Sequence, residues 1–244
     1  MTIYYGFEMD GLSWRAFTLS AMADRRWYLR RQRIAMYTIT MMVGMAAQCA
    51  ATFCMFKYEF LQNHIEAFTM HQAHVHNNDI VAAGITSMVI PCIALLLFTV
   101  EYFLLVLWPG KLYSRAYNRW KGGIFVAACV GMLATAVVST IFVATRSASI
   151  SGVDATAAQQ LTSMYFRPPL KYNSWPQNIA WIVLLWIAVI CCIVSTGLLI
   201  RAISHDEMYM SCLNGSSSNV DDAAVEPAAS DEDKSIPEEK VQLA

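Results

Sequence analysis

The chain has 244 residues, of which 57% are hydrophobic and only 14% are charged, and its formal net charge at pH 7 is −1. Soluble domains carry roughly 25% charged residues, so this composition argues against a water-soluble globular protein. A nearly neutral chain also lacks the basic field that nucleic-acid binding requires, and we therefore expect no nucleic acid among its partners.

The first 33 residues form a basic segment that is too polar to cross a bilayer. Its apolar residues recur at roughly helical spacing, and a run of arginines begins at Arg25. This pattern is typical of an amphipathic helix that lies among anionic lipid headgroups on the cytoplasmic side; a disordered basic segment is the alternative. We expect no cleaved signal peptide here, because a continuous apolar core and a cleavage site are both missing.

Four long apolar segments follow, and each is long enough to cross a hydrocarbon core of about 30 Å as a helix. They are residues 34–56, 80–108, 123–145 and 179–200. The segments between them are an outer loop at 57–79, a cytoplasmic loop at 109–122 and a second outer loop at 146–178. The predicted fold is therefore all-α, a four-helix transmembrane bundle.

Basic residues flank these spans unequally. Counting Arg15 and Arg201, eleven Lys and Arg residues lie on the side of the N-terminus and four lie in the two outer loops. Lys and Arg in short loops favour the cytoplasmic side of a membrane. An even number of spans then puts both termini in the cytoplasm, and we expect a multi-pass protein of the plasma membrane or of an intracellular vesicle membrane.

The last segment, residues 201–244, changes in character. From residue 206 onward it holds ten acidic residues against two lysines, which predicts a disordered cytoplasmic tail. Ser218, Ser230 and Ser235 each precede acidic residues and resemble acceptor sites of acidophilic kinases; a merely solubilising tail is the alternative. An acidic tail is repelled by an anionic membrane, so we expect it to bind a cytoplasmic partner.

Three histidines of the first outer loop, His71, His74 and His76, are close in sequence. Neutral imidazole is a good ligand for zinc and copper, so two or three of them could hold one metal ion. A polar loop with weak pH sensitivity is the alternative, and we assign no cofactor.

Glu101 is the one ionisable residue deep within a predicted span, about 10 Å from the end of that span at a helical rise of 1.5 Å per residue. A charge at this depth is costly unless it faces protein or water. One interpretation is a hydrogen bond between helices, to Gln48 or to Ser139 or Thr140. The other is a place on an ion path.

The third span carries a row of small residues at every fourth position. Small residues let helices approach closely in lipid, where packing drives helix association. The row consists of Ala127, Gly131, Thr135 and Ser139.

The second outer loop is rich in the residue types that dominate binding energy at protein interfaces, namely aromatic residues and arginine. We therefore expect an outer contact surface there. Its candidate residues are Tyr165, Phe166, Arg167, Tyr172 and Trp175.

Four spans, two outer loops and cytoplasmic ends give a layout that resembles the tetraspan superfamilies, which include the MARVEL group, claudins, tetraspanins and connexins. The outer loops of this chain contain no cysteine, whereas the last three of these groups carry outer cysteines. The resemblance is one of layout, so it implies a four-helix bundle and no particular functional residue.

The sequence contains no nucleophile elbow, zincin motif or phosphate loop, so we expect no enzyme activity. Our functional hypothesis is a four-pass protein that organises, chaperones or traffics a partner membrane protein, or that mediates cell-surface contact. Its expected partners are membrane lipids, another integral membrane protein or a second copy of itself. The alternative is a subunit of an ion channel or transporter, with Glu101 in the path and a histidine-rich outer loop.

Overall fold

The computed structural model describes residues 3–4, 7–8, 17–18, 28–108, 113–164 and 168–223. Contacts divide the chain into two compact units, Met1–Ser204 and His205–Ala244. Several predictions therefore fall outside the described residues: most of the N-terminal amphipathic helix, the loop residues Tyr165, Phe166 and Arg167, and the tail serines Ser230 and Ser235.

Four long helices dominate the described part of the chain, and a short one lies between the last two of them. The long helices are α1 (Arg30–Phe68), α2 (Asn78–Leu107), α3 (Arg115–Thr145) and α5 (Pro176–Ala223); the short one is α4 (Ala155–Met164). Each long helix is long and apolar enough to cross a membrane. The prediction of four apolar helices is thus confirmed, and they indicate an integral multi-pass membrane protein.

Two small antiparallel sheets accompany the helices. Strands β1 (Ile3–Tyr4) and β2 (Phe7–Glu8) pair within the N-terminal segment, ahead of the residues whose spacing predicts an amphipathic helix. Strands β3 (His74–His76) and β4 (Ser149–Ser151) pair in the register Val75 to Ile150, and so join the two predicted outer loops to each other.

Helix α1 is longer than the span predicted from the sequence. The predicted span ends at residue 56 because Lys57 is charged, but a charge does not end a helix, and the segment after it contains no Pro or Gly. Leu61 and Ile65, one helical turn apart, are buried, and this burial stabilises the additional turns. Most of the predicted first outer loop is therefore helix, up to Phe68.

Contacts between the helix ends fix an alternating up-and-down arrangement. Arg33 near the start of α1 contacts Glu101 near the end of α2 and, through it, Lys121 near the start of α3. At the opposite end, Tyr58 of α1 contacts Asn178 at the start of α5. We call the first the basic end of the bundle, and the second, where β3 and β4 pair, the sheet end.

Apolar side chains fill the bundle in two buried clusters. One lies towards the sheet end and includes Leu61, Val75 and Trp181. The other lies further towards the basic end and includes Tyr37 and Phe98, whose ring centroids are 5.4 Å apart.

The predicted packing row on α3 is only partly at a helix interface. Ser139 is fully buried and its hydroxyl lies 3.0 Å from that of Ser87 on α2, and Thr135 is also buried. Gly131 is half-buried, and a Cβ there would lie 3.2 Å from Ile90. Ala127 is exposed instead, because each step of four residues turns a helix by about 40° and carries the row out of the interface.

The polar C-terminal segment begins as helix. Helix α5 continues past the predicted end of the fourth span at residue 200 and reaches Ala223. The disorder expected of the acidic tail stays a prediction. Ser218 lies on this helix, and residues 224–244 are outside the described part of the chain.

A glycine lies at a close contact between α1 and α2. A Cβ at Gly44 would lie 2.8 Å from Cδ2 of Leu95, whereas one at Gly197 on α5 would meet nothing within 4 Å. We expect Gly44→Leu to destabilise the bundle by about 1–3 kcal/mol through overpacking, and Gly197→Leu to be nearly neutral. Thermal unfolding in detergent micelles measures both. Equal effects at the two glycines would contradict close packing at Gly44.

Candidate functional site

An ionic cluster lies at the basic end of the bundle. Glu101 Oε1 accepts hydrogen bonds from Arg33 Nη2 at 2.6 Å and from Lys121 Nζ at 3.2 Å. The side chains of Glu101, Arg33 and Lys121 are only 6%, 9% and 11% exposed. One carboxylate therefore links three helices through charge-assisted hydrogen bonds, which are about twice as strong as neutral ones.

Neighbouring groups hold the cations in place. Arg33 Nε donates to the hydroxyl of Tyr37 at 3.1 Å, one turn along α1. The ammonium of Lys121 lies 5.2 Å from the ring centroid of Tyr113, a cation–π distance. Arg30 Nη2 donates to the carbonyl of Val106 at 3.3 Å. The cluster is a packed and hydrogen-bonded contact between helix ends, with little of its surface open to solvent.

These partners of Glu101 differ from those expected from the sequence. Gln48 donates to the carbonyl of Met88, Ser139 contacts Ser87, and Thr140 accepts from the indole of Trp186. In the sequence, Arg33 and Lys121 belong to the basic residues that flank the predicted spans on the cytoplasmic side. The sequence carries no local signal for this pairing, which depends on the antiparallel helix arrangement: it places each of the three charged residues three to six residues from the end of its helix.

A second polar cluster lies at the sheet end and is centred on Tyr58, which is fully buried. Its hydroxyl donates to the carbonyl of Pro169 at 3.2 Å and accepts from Asn178 Nδ2 at 3.0 Å. Asn77, immediately before α2, donates to the carbonyl of Tyr58 at 2.9 Å. Tyr58 on α1 therefore lies level with the starts of α2 and α5.

Two residues of the predicted outer contact surface belong to this buried cluster. Tyr172 is fully buried and Trp175 is 7% exposed, and both rings pack edge-on against Tyr58. The Tyr172 hydroxyl donates to Asp79 Oδ1 at 2.8 Å. Burial and this carboxylate raise the pKa of Tyr172 above its ordinary value, so the phenol stays protonated. These two aromatic residues stabilise the sheet end instead of facing a partner.

The three loop histidines are placed near one another in sequence but have separate contacts. His74 and His76 lie on the exposed face of β3, on either side of the buried Val75. His74 Nδ1 is 3.6 Å from Glu66 Oε1, and His76 Nε2 is 2.8 Å from Ser151 Oγ. His71 is exposed, with a positive φ of 63°.

The described residues contain no group of three His, Cys, Asp or Glu side chains that could hold a metal ion. The structure therefore does not bring His71, His74 and His76 together around one point. Metal binding by this loop stays a prediction.

An exposed and mostly apolar row of side chains runs along α1. The row steps by three or four residues along one face of the helix, and we call it the α1 seam. Its members are Met42, Met45, Cys49, Phe53, Phe56, Phe60 and Asn63. Met42, Phe56 and Phe60 are 67%, 58% and 65% exposed.

The α1 seam continues past the level at which α2 and α5 begin. Because Tyr58 lies level with the starts of α2 and α5, Phe60 and Asn63 are beyond that level. A groove of about 530 Å³ follows this part of the seam, and it is lined by Phe53, Phe56, Lys57, Glu59, Phe60 and Asn63. Sequence reasoning missed the seam, because the predicted span was cut at residue 56; the spacing of its residues was the available signal.

No protein-family model matches this sequence, and no curated protein or solved structure is significantly similar to it. The function is therefore argued from the geometry of these surfaces.

The ionic cluster gives a stability prediction. Glu101→Ala leaves the charges of Arg33 and Lys121 buried without their carboxylate, so we expect a loss of about 3–5 kcal/mol, as for other broken buried ion pairs. Unfolding in mixed micelles measures the loss. Glu59→Ala, which removes an exposed carboxylate on the same bundle, is the matched control.

Replacing all three charges tests the electrostatic origin of this loss. Apolar side chains of similar size often replace a buried ion cluster at little cost, so Glu101→Ala combined with Arg33→Met and Lys121→Met should regain much of the stability. A Glu101→Ala variant as stable as Glu59→Ala would contradict the prediction.

Proposed function

We propose that this chain is a non-enzymatic four-pass membrane protein that organises membrane proteins by binding a partner's transmembrane helix along the α1 seam. The observation that carries the proposal is the continuation of the seam past the level of Tyr58. Lipid acyl chains cover exposed apolar side chains within the span, but Phe60 lies beyond the level at which α2 and α5 begin. Phe60 shares one exposed groove with Phe53 and Phe56, and a contiguous apolar patch of this kind is a mark of a protein interface.

The chemistry of the seam supports a helix as the partner. Residues spaced by three and four positions present one straight row, which is the pattern that a second helix packs against. Methionine and phenylalanine supply adaptable and aromatic contact area, both of which are enriched at interfaces. A groove lined by such residues fits a helix lying along α1 better than a compact soluble ligand.

The alternative of an ion channel or transporter subunit depends on Glu101 lining a path. In this bundle the Glu101 carboxylate is 6% exposed and holds two cations. That arrangement suits a structural contact between helix ends better than an ion-conducting position, so the geometry supports the organising role.

We further propose that both termini lie in the cytoplasm and that the sheet end faces outward. The support is the distribution of basic residues, eleven against four, together with the cations gathered at the basic end. In this orientation Phe60 and the paired strands β3 and β4 face the extracellular or lumenal side.

Glycosylation tests the orientation. Gln160→Asn, with Leu161 and Thr162 following, completes an Asn-x-Thr acceptor near the middle of the segment between α3 and α5. We expect the variant to gain a glycan that endoglycosidase removes, and the natural Asn214-Gly215-Ser216 site to stay unmodified. A glycan on Asn214 would reverse the proposed orientation.

Position-specific photo-cross-linking in native membranes tests the organising role. A photoreactive residue in place of Phe56 or Phe60 should form a discrete adduct with a membrane protein, because the seam packs against its helix. Val130 on α3 is a matched control, since it is 61% exposed and lies in a predicted span. Adducts of the same pattern from Val130, or adducts with lipid alone from the seam, would contradict the proposal.

A further inference from the structure

We propose that the helix bound by the α1 seam is α1 of a second copy of this chain, in a parallel, two-fold symmetric dimer. This inference rests on the proposed function and names the partner of the same surface. It follows from three properties of the seam: its length, its self-complementary spacing and the charges on its flanks.

The first property is length. The seam from Met42 to Asn63 spans about 31 Å at 1.5 Å per residue, and its last turns lie beyond the level of Tyr58. A partner helix that covers all of it must also extend past that level on the same side of the membrane. Among the four long helices of the described residues, α1 is the one that continues past the level of Tyr58, up to Phe68.

The second property is spacing. Phe53, Phe56, Phe60 and Asn63 follow one another by three, four and three residues, which is the spacing of the contact positions in a two-stranded coiled coil. Two copies in one membrane share the same orientation, so their α1 helices meet in parallel and each seam residue faces its own counterpart. Asn63 ends the row with a side chain that can hydrogen-bond to its symmetry mate.

The third property is charge. Lys57 and Glu59 are both exposed and line the groove. At 100° per residue they fall on opposite flanks of the row formed by Phe56 and Phe60. A two-fold axis along the seam turns the Lys57 flank of one copy towards the Glu59 flank of the other. Charges of opposite sign therefore face each other on both sides of the contact, as partner choice in parallel coiled coils requires.

A natural cysteine in the seam allows a direct test. Cys49 is exposed on α1, and Cys92 is exposed on α2. In the proposed dimer the two Cys49 residues meet at the axis, within the range of Cα separations, about 4.4–6.8 Å, that a disulfide allows. Two differently tagged copies are expressed in the same membranes and oxidised with copper phenanthroline. We expect a reducible dimer that carries both tags, is lost in Cys49→Ser and is retained in Cys92→Ser.

Charge reversal supplies a second readout, the yield of dimer that co-purifies through both tags in mild detergent without oxidation, which does not depend on cysteine reactivity. Lys57→Glu and Glu59→Lys, made separately, each place like charges across the contact, and we expect each to lower the dimer yield by about threefold or more. The two changes together restore opposite charges and should return the yield towards that of the wild type. Both residues are exposed, so the variants keep the folded bundle, which circular dichroism checks.

The outcomes separate this inference from the proposed function. No Cys49-dependent dimer, together with photo-adducts of Phe56 and Phe60 with a different membrane protein, would overturn the inference and leave the organising role intact. Neither a dimer nor adducts would overturn both. A dimer that persists in Cys49→Ser and disappears in Cys92→Ser would place self-association on another face and overturn the inference.

Discussion

A carboxylate that is withdrawn from water must be matched by positive charge, and this requirement joins three of the four long helices. Glu101 lies between Arg33 and Lys121, and each of the three belongs to a different helix. The contact sets the relative height of α1, α2 and α3 at the basic end, because a shift along any one helix axis would separate the charges. In a bundle whose apolar faces slide past one another at little cost, such a contact fixes the register that packing alone leaves loose.

At the sheet end, neutral groups fix the relative height of the helices. The carbonyl of Tyr58 accepts from Asn77 immediately before α2, and its hydroxyl contacts Asn178 in the first turn of α5 and Pro169 in the second loop. Its ring also packs edge-on against Tyr172 and Trp175. The two loops contain no cysteine, so buried hydrogen bonds and aromatic packing hold this layer together with the β3–β4 pair, without a covalent link.

Features that depend on local composition could be predicted from the sequence, whereas side-chain partners that lie in distant segments could not. Apolar runs identified the four membrane helices, since hydrophobic length is a local property. The importance of Glu101 was also visible, but its partners were not, because Arg33 and Lys121 carry the same local signal as ordinary flanking cations. Burial of Tyr172 could not be predicted for a similar reason: an aromatic residue in a polar loop looks exposed until its partner Tyr58 is known. Helix α1 is longer than the predicted span because a charged residue ends an uncharged run without ending a helix.

The height of the α1 seam also bears on the membrane around the protein. On the α1 side the exposed apolar surface continues past Tyr58, whereas α2 and α5 begin at that level. A bilayer that matches the other helices is therefore too thin on this side, and mismatch costs a fraction of a kcal/mol per Å. In the proposed dimer, pairing of two seams would remove the excess surface from both water and lipid. Bilayer thickness would then act on pairing directly, with thin membranes favouring the paired state and thicker membranes favouring single copies.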